Sequence, residues 1–412
     1  MGRGSGGRRE PNGGEALRHR AGEAICKHDG GRQVRITKIR LTTFRYISRS
    51  VRDSEGHRHP GPEHEALETL TTVAADGGVE GHAFGGSAAM VRVARRLLVG
   101  EDPLARERIW QSLRRHQRLQ GEALADSQIA VIDMALWDLA GQLTNLPICK
   151  LLGGYRTTVP AYGSTMCGDD LPGGLDSPES YADFAEALRE RGYTAIKLHT
   201  WMPPIGPDAK RDVAACRAVR ERLGPDVRLM LDCYHDYSRT EALYIGRALE
   251  ELGFYWFEEP MNEHSTSSYV WLADQLRLPV VGPETAEGQI YTRAEWVLRG
   301  ASDISRYSAR LGGITPLVKA VHLCEAFGIP LEVHGGGAAN LQVLGAMGIP
   351  GEYYERGLLH PCLCYDDATP WLREVIDPMD AAGQVRISQR PGLGMDIDWE
   401  FIGRHTVHTD AD

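Results

Sequence analysis

Two rhythms of apolar and polar positions divide the chain. In the first part apolar residues alternate and then recur at helical spacing. "VRITKIRLTTFRYIS" alternates as a half-buried strand does. "ALETLTTVAADGGVEGHAFGG" gives two further alternating runs around "DGG", which predicts a hairpin. The polar stretch "DSEGHRHPGPEHE" before it is expected to be a turn-rich loop. "AMVRVARRLLVG" and "PLARERIWQSLRRHQR" then follow as amphipathic helices, and "ALADSQIAVIDMALWDLAGQLTN" as a long, largely buried one. Strands first and helices after predict a small α+β domain over residues 35–154.

Beyond residue 155 short apolar strands alternate with amphipathic helices. The strand candidates are "VPAYGSTM", "YTAIKLHT", "VRLMLDCYH", "FYWFEEP", "LPVVGPE", "SDISRYS", "IPLEVHG" and a weaker "EYYERGLL". Repeated β/α units predict a parallel sheet. Seven or eight units in succession predict a closed (β/α) barrel over 155–375 rather than a doubly wound sheet. The segment 376–412, with "VRISQRPGLGMDIDWEFIG", is expected to return to the first domain as a strand and turn.

Composition narrows the function classes. A net charge of −10 over 412 residues disfavours nucleic acid and anionic membrane, both of which need a basic face. A small-molecule carboxylate remains open as a partner if local cations or a metal offset that charge. No apolar run approaches the roughly 18 residues of a membrane span. The eight cysteines have no paired zinc spacing, and "PCLCY" has no second pair to complete a site. Buried free thiols in a reducing, cytoplasmic compartment are expected. Residues 1–34 are rich in Gly and Arg, lack periodicity and carry no secretory h-region, so a disordered extension is expected there.

In (β/α) barrels the active site lies at the C-terminal strand ends. The polar residues at those ends are Lys197, His199, Asp232, Glu258, Glu259, Glu284, His334 and Glu355. The steps from 232 to 258 and from 258 to 284 are both 26 residues, about one βα unit each. Asp232, Glu258 and Glu284 therefore converge from adjacent strands. Three unpaired anions so placed raise one another's pKa. A divalent cation removes that cost, and all-oxygen ligation suits Mg2+. The plainer alternative is that each carboxylate caps the helix after it. Lys197 is one of only six lysines, and alternation turns it and His199 toward the barrel mouth.

"AIKLHT", "LMLDCYH", "FEEP", "GPE", "LGGIT" and "EVHG", in this order, together with "AVIDMALWDLAGQLTNLPICKLLGG" and the late "RPGLG", resemble the mandelate racemase subgroup of the enolase superfamily over residues 36 to 400. The resemblance implies an α/β fold, a modified TIM barrel under an N-terminal α+β capping domain. It implies Mg2+ held by Asp232, Glu258 and Glu284, and abstraction of the proton α to a substrate carboxylate. Lys197 is then a cation beside the developing charge or a base with lowered pKa. His334 is the second acid/base across the mouth, and Glu355 a protonated acid on the substrate carboxylate. Dimers or octamers are implied as well.

Two departures stand out. The family commonly has a second lysine where this chain has His199, which is a base or a hydroxyl ligand there. Tyr307 occupies the position of the aspartate partner expected for His334, so His334 acts only as an acid, or is oriented by Tyr307. Substrate contacts are expected from His57 and His59 of the capping loop, from Tyr162 and Tyr234 after strand ends, and from Arg306, with Arg310 as a further cation for a distal carboxylate. The expected function is dehydration of a sugar acid, an aldonate or aldarate. The alternatives are racemisation or epimerisation, a Schiff-base aldolase through Lys197, and a non-catalytic ligand-binding relative.

Overall fold

The computed structural model describes residues 34–53, 56–202, 205–233, 235–348, 351–367 and 369–410. Tyr234 and the first 33 residues lie outside this set.

Three strands, β1 (Ile36–Arg52), β2 (Arg58–Ala75) and β3 (Glu80–Phe84), form an antiparallel sheet in which β2 lies between the other two. The segment expected as a loop is mostly strand. Pairing continues through Ser50 with Pro60 and Arg52 with Arg58. Pro60 and Pro62 are tolerated because β3 pairs only with Leu70 to Ala74, which leaves one edge of the outer half of β2 free.

The helices α1 (Ala88–Leu98), α2 (Arg106–Gln120) and α3 (Asp126–Thr144) pack on this sheet. Helix α3 is buried along most of its length and carries two buried acids. Asp133 accepts from the amide and hydroxyl of Thr315, at 2.9 and 2.6 Å. Asp138 accepts from the amides of His82 and Leu393, both at 2.8 Å. These bonds hold helix to barrel and to the C-terminal segment. Gly313 and Gly392 must lack side chains, since a Cβ at either position would meet Asp133 or Asp138 within 2.3 Å.

After a short helix α4 (Ile148–Leu151), eight parallel strands follow. They are β4 (Thr158–Thr165), β5 (Ala195–His199), β6 (Arg228–Asp232), β7 (Trp256–Glu258), β8 (Val280–Val281), β9 (Ser305–Tyr307), β10 (Leu331–Val333) and β11 (Tyr354–Leu359). Ladders run β11-β4-β5-β6-β7-β8, and β9 pairs with β10. A single bridge, Val281 to Ile304, joins the two sets. Between β10 and β11 the described residues form no ladder, and the Glu332 carboxylate accepts from the Glu352 amide instead. Helices α5 (Pro178–Glu190), α6 (Ala209–Leu223), α7 (Arg239–Glu251), α8 (Thr266–Gln275), α9 (Ile290–Arg299) and α10 (Ile314–Phe327) connect β4 through β10, and α11 (Ala338–Leu344) precedes β11.

The tail differs from its expected course. β12 (Gln384–Arg386) pairs antiparallel with barrel strand β4, and the return to the first sheet is made later. Helix α12 (Trp399–His405) leads into β13 (Thr406–Asp410), which adds to the edge of β1. Among the described residues no helix is long and apolar enough to cross a membrane.

Candidate active site

Side chains facing the barrel axis alternate with those facing the helices, so each strand contributes to successive layers two residues apart. The lowest layer is apolar, built from Tyr162, Ala195, Met230, Trp256, Val281, Ile304 and Tyr353. Ile196, Leu198, Leu229 and Leu231 point outward into the core between strands and helices.

One step up, charged residues dominate, with Ser164 of β4 a buried neutral member level with Lys197. Lys197 Nζ lies 2.9 Å from Asp232, 3.2 Å from Glu258 and 3.1 Å from Glu355. Arg306 Nε approaches Glu258 at 2.6 Å and its Nη2 meets Glu355 at 2.8 Å. Burial alone would lower the pKa of both cations, but the surrounding carboxylates reverse this and hold them charged. Lys197 is 1% exposed and does not line the cavity, so it is a buried cation beneath the mouth.

Arg306 and Tyr162 also sit deeper than expected. Arg306 is fully buried, and Tyr162, in the apolar layer, accepts from Arg306 at 2.9 Å. Neither reaches the cavity. Glu355 departs from its expected role too. Burial pushes its carboxyl up, yet Lys197 and Arg306 hold it well below the ordinary range, and the Gly335 amide donates to it at 2.6 Å. It is an ionised carboxylate in these surroundings, not a protonated acid.

The mouth itself is flanked by two histidines. His199 Nε2 lies 3.0 Å from Asp232, and its Nδ1 lies 2.7 Å from the Thr165 carbonyl. A carbonyl only accepts, so Nδ1 carries a proton, and Nε2 is the nitrogen beside Asp232. His334 Nε2 lies 2.9 Å from Glu284, while its Nδ1 makes no hydrogen bond. Tyr307 does not orient this ring. Its side chain faces the helices, its hydroxyl donates to the Leu311 carbonyl, and only its backbone carbonyl accepts from the His334 amide, at 2.9 Å.

Asp232, Glu258 and Glu284 offer oxygens that all lie within 4.8 Å of one another. Burial drives the Glu258 carboxyl well above its ordinary range even though Arg306 and Lys197 oppose it, and its Oε1 lacks an aligned hydrogen bond. A hard divalent cation taking one oxygen from each acid fits this donor set. Glu259, the second acid of "FEEP", turns away at φ +44°. With Glu263 it accepts from the backbone amide of Glu284, which shapes the loop carrying that ligand.

His199, Asp232, Glu259, Glu284, His334 and Glu355 line a cavity of about 1040 Å³, with Glu258 buried beneath it and with residues of the β1–β2 hairpin and of β3 on its other side. Of the two capping histidines, His57 lines the cavity. His59 does not line it, and Asp53 contacts both rings, His57 Nδ1 at 3.2 Å and His59 Nε2 at 2.8 Å. Sequence reasoning missed Arg58, which lines the cavity and sits inside the segment taken for a loop. It also missed Asn340, whose amide clamps the carbonyls of His334 and Gly335, both at 2.8 Å, with no motif to mark it.

Comparison with known proteins bears on this arrangement. Residues 180–401 match the enolase C-terminal domain-like family, and residues 61–153 match the mandelate racemase / muconate lactonizing enzyme N-terminal domain. D-galactarolactone cycloisomerase of Agrobacterium fabrum is 32% identical over 327 residues, covering 77% of this chain and 84% of its own. L-talarate/galactarate dehydratase of Salmonella typhimurium is 30% identical over 306 residues, covering 73% and 71%. The crystal structure of D-glucarate dehydratase from Agrobacterium tumefaciens complexed with magnesium superposes with a TM-score of 0.89 at 52% identity, covering 92% of this chain and all of that one.

Proposed function

This chain belongs to the mandelate racemase / muconate lactonizing enzyme family of the enolase superfamily, and from that premise we propose that it is a Mg2+-dependent dehydratase of a sugar acid. One observation carries the reading. Three carboxylates converge at the cavity floor, and a histidine touches each outer member, His199 at Asp232 and His334 at Glu284. The names of similar proteins support it, since the 52% identical structure is a glucarate dehydratase with magnesium and the Salmonella relative dehydrates talarate or galactarate.

Asp232, Glu258 and Glu284 would hold the metal. Mg2+, when bound, supplies the positive charge that holds the substrate carboxylate and offsets the second negative charge of the enediolate. His199 takes the C2 proton at Nε2, with its other nitrogen fixed by the Thr165 carbonyl. Lys197 stays charged below it and balances the acids around it. His334 gives a proton from Nε2 to the departing C3 hydroxyl, so water leaves and the enol relaxes to a 2-keto-3-deoxy acid. Epimerisation needs an equally competent base on each face. The unpartnered Nδ1 of His334 leaves its ring without the group that would strengthen it as a base, which favours dehydration. Five buried free cysteines among the described residues support a reducing, cytoplasmic compartment.

A panel of aldonates and aldarates, run in D2O with and without Mg2+, tests the reading. A 2-keto-3-deoxy acid formed only with the metal is expected. Product that survives thorough chelation sinks the metal-dependent route, and a deuterated C2 epimer in place of a keto acid makes the protein an epimerase.

A further inference from the structure

We infer that Arg58 and Arg310 form a second anion site in the cavity, and that the substrate is therefore an aldarate, with a carboxylate at each end. The identity of that substrate rests on the dehydratase reading above.

Both guanidiniums line the cavity, Arg58 from the start of β2 and Arg310 from the loop between β9 and α10. Arg310 sits over the end of β10, because a Cβ on Gly335 would lie 3.9 Å from its Cζ. It is thus beside His334, at the rim of the carboxylate floor. The two arginines are close enough to repel, and burial, Arg52 and Arg310 all work to lower the pKa of Arg58.

Neither guanidinium has an ion pair among the described residues. Most other arginines of the hairpin that carries Arg58 are ion-paired, and Arg52 donates to the Gly56 carbonyl. Arg45 and Arg49 pair with Glu65 and Glu63 on the adjacent strand β2, and Arg40 pairs with Glu80 on β3. The acid nearest to hand for Arg58 is Glu68, and it accepts instead from the Thr69 amide at 2.8 Å. Two guanidiniums that make no ion pair among the described residues face one cavity, where Glu68 acts on Arg58 at longer range without bonding to it, and a bound anion would satisfy both.

A carboxylate held at the floor leaves the far end of an extended sugar acid directed at the rim. There the guanidiniums meet either a second carboxylate or a hydroxymethyl group. The hydroxymethyl leaves both charges unpaired in a confined site, so aldonates are selected against as well as aldarates selected for.

The test compares galactarate with galactonate and glucarate with gluconate, pairs that differ only at C6. Wild-type protein is expected to favour each aldarate by at least 10-fold in kcat/KM. R58M and R310M are each expected to lower kcat/KM on the aldarate by about 10- to 100-fold, the range of a lost charge-assisted hydrogen bond, and to erase most of the preference. Neither side chain makes an ion pair or hydrogen bond among the described residues, so both variants should fold, and unchanged melting temperatures check this. Equilibrium binding of the same four acids, read by thermal shift with Mg2+, gives an outcome independent of turnover. An aldarate preference that survives in both variants, or its absence from the wild-type protein, overturns the second site. Failure to dehydrate any of the four acids overturns the dehydratase reading instead, while the binding comparison still decides the arginine pair.

Discussion

The two walls of the cavity mouth each present a histidine to a floor of carboxylates, but they are built differently. On the β5 wall His199 is held at both ring nitrogens, by a strand carbonyl and by Asp232. On the β10 wall His334 is held at one, and its second nitrogen has no bond. Support for the first is backbone from the adjacent strand β4, which the barrel hydrogen bonds fix. Support for the second comes from Asn340 clamping its carbonyl, which does not touch the ring. The fold therefore provides one histidine with a set tautomer and one free to change it. That is the division a dehydratase needs, with a base on one face and a proton donor on the other.

His199→Asn is the change expected to do most. It removes the ring nitrogen that takes the C2 proton, so kcat should fall by about 10³-fold and exchange of the C2 proton with solvent should stop. His334→Asn should cost about 10²-fold in dehydration, yet leave C2 exchange measurable, because the proton is still removed and only departure of the hydroxyl is slowed. Deuterium incorporation into recovered substrate separates the two. If His334→Asn abolishes exchange and His199→Asn keeps it, the walls have the opposite roles.

Much of this architecture was legible in the chain, and the reasons are physical. Period-two alternation in short apolar runs and the 26-residue spacing placed Asp232, Glu258 and Glu284 at strand ends. The same alternation put Lys197 and His199 on one side, but it carries no depth. Two residues along a strand advance about 6.6 Å, enough to move a side chain from cavity to sealed interior. Hence Lys197, Arg306 and Tyr162, all expected near substrate, lie below the mouth. Direction failed at Tyr307, one position from the inward Arg306 and so facing the helices. The capping hairpin was taken for a loop because Gly, Pro and His dominate it, whereas pairing to an already formed β1 overrides that propensity.

The tie between α3 and the first turn of α10 should also respond to pH. Burial raises the carboxyl of Asp133 to about 6 despite its bonds from Thr315. The folded protein thus binds this proton more tightly than the unfolded chain. The stability it contributes is complete below about pH 4 and is lost as pH rises through 6. Asp133→Asn has no such proton. The melting temperature of the variant should gain on wild type between pH 4 and 7 by the equivalent of about 1–3 kcal/mol. A difference that stays constant across that range would show that Asp133 is ionised throughout.

The smallest effect is expected at Tyr307, and it is the sharpest check on the asymmetry. Its hydroxyl donates to the Leu311 carbonyl, and its ring packs under the Arg293 guanidinium, 4.4 Å from the centroid. Both contacts face away from the mouth, and only its backbone carbonyl touches His334. Tyr307→Phe keeps the ring and that carbonyl and removes one hydrogen bond. Stability should fall by about 1 kcal/mol, with kcat/KM within about 2-fold of wild type. A loss approaching that of His334→Asn would mean that the hydroxyl reaches His334 through the Leu311 turn. The β10 wall would then have a hidden partner for its ring, and the contrast between the walls would fail.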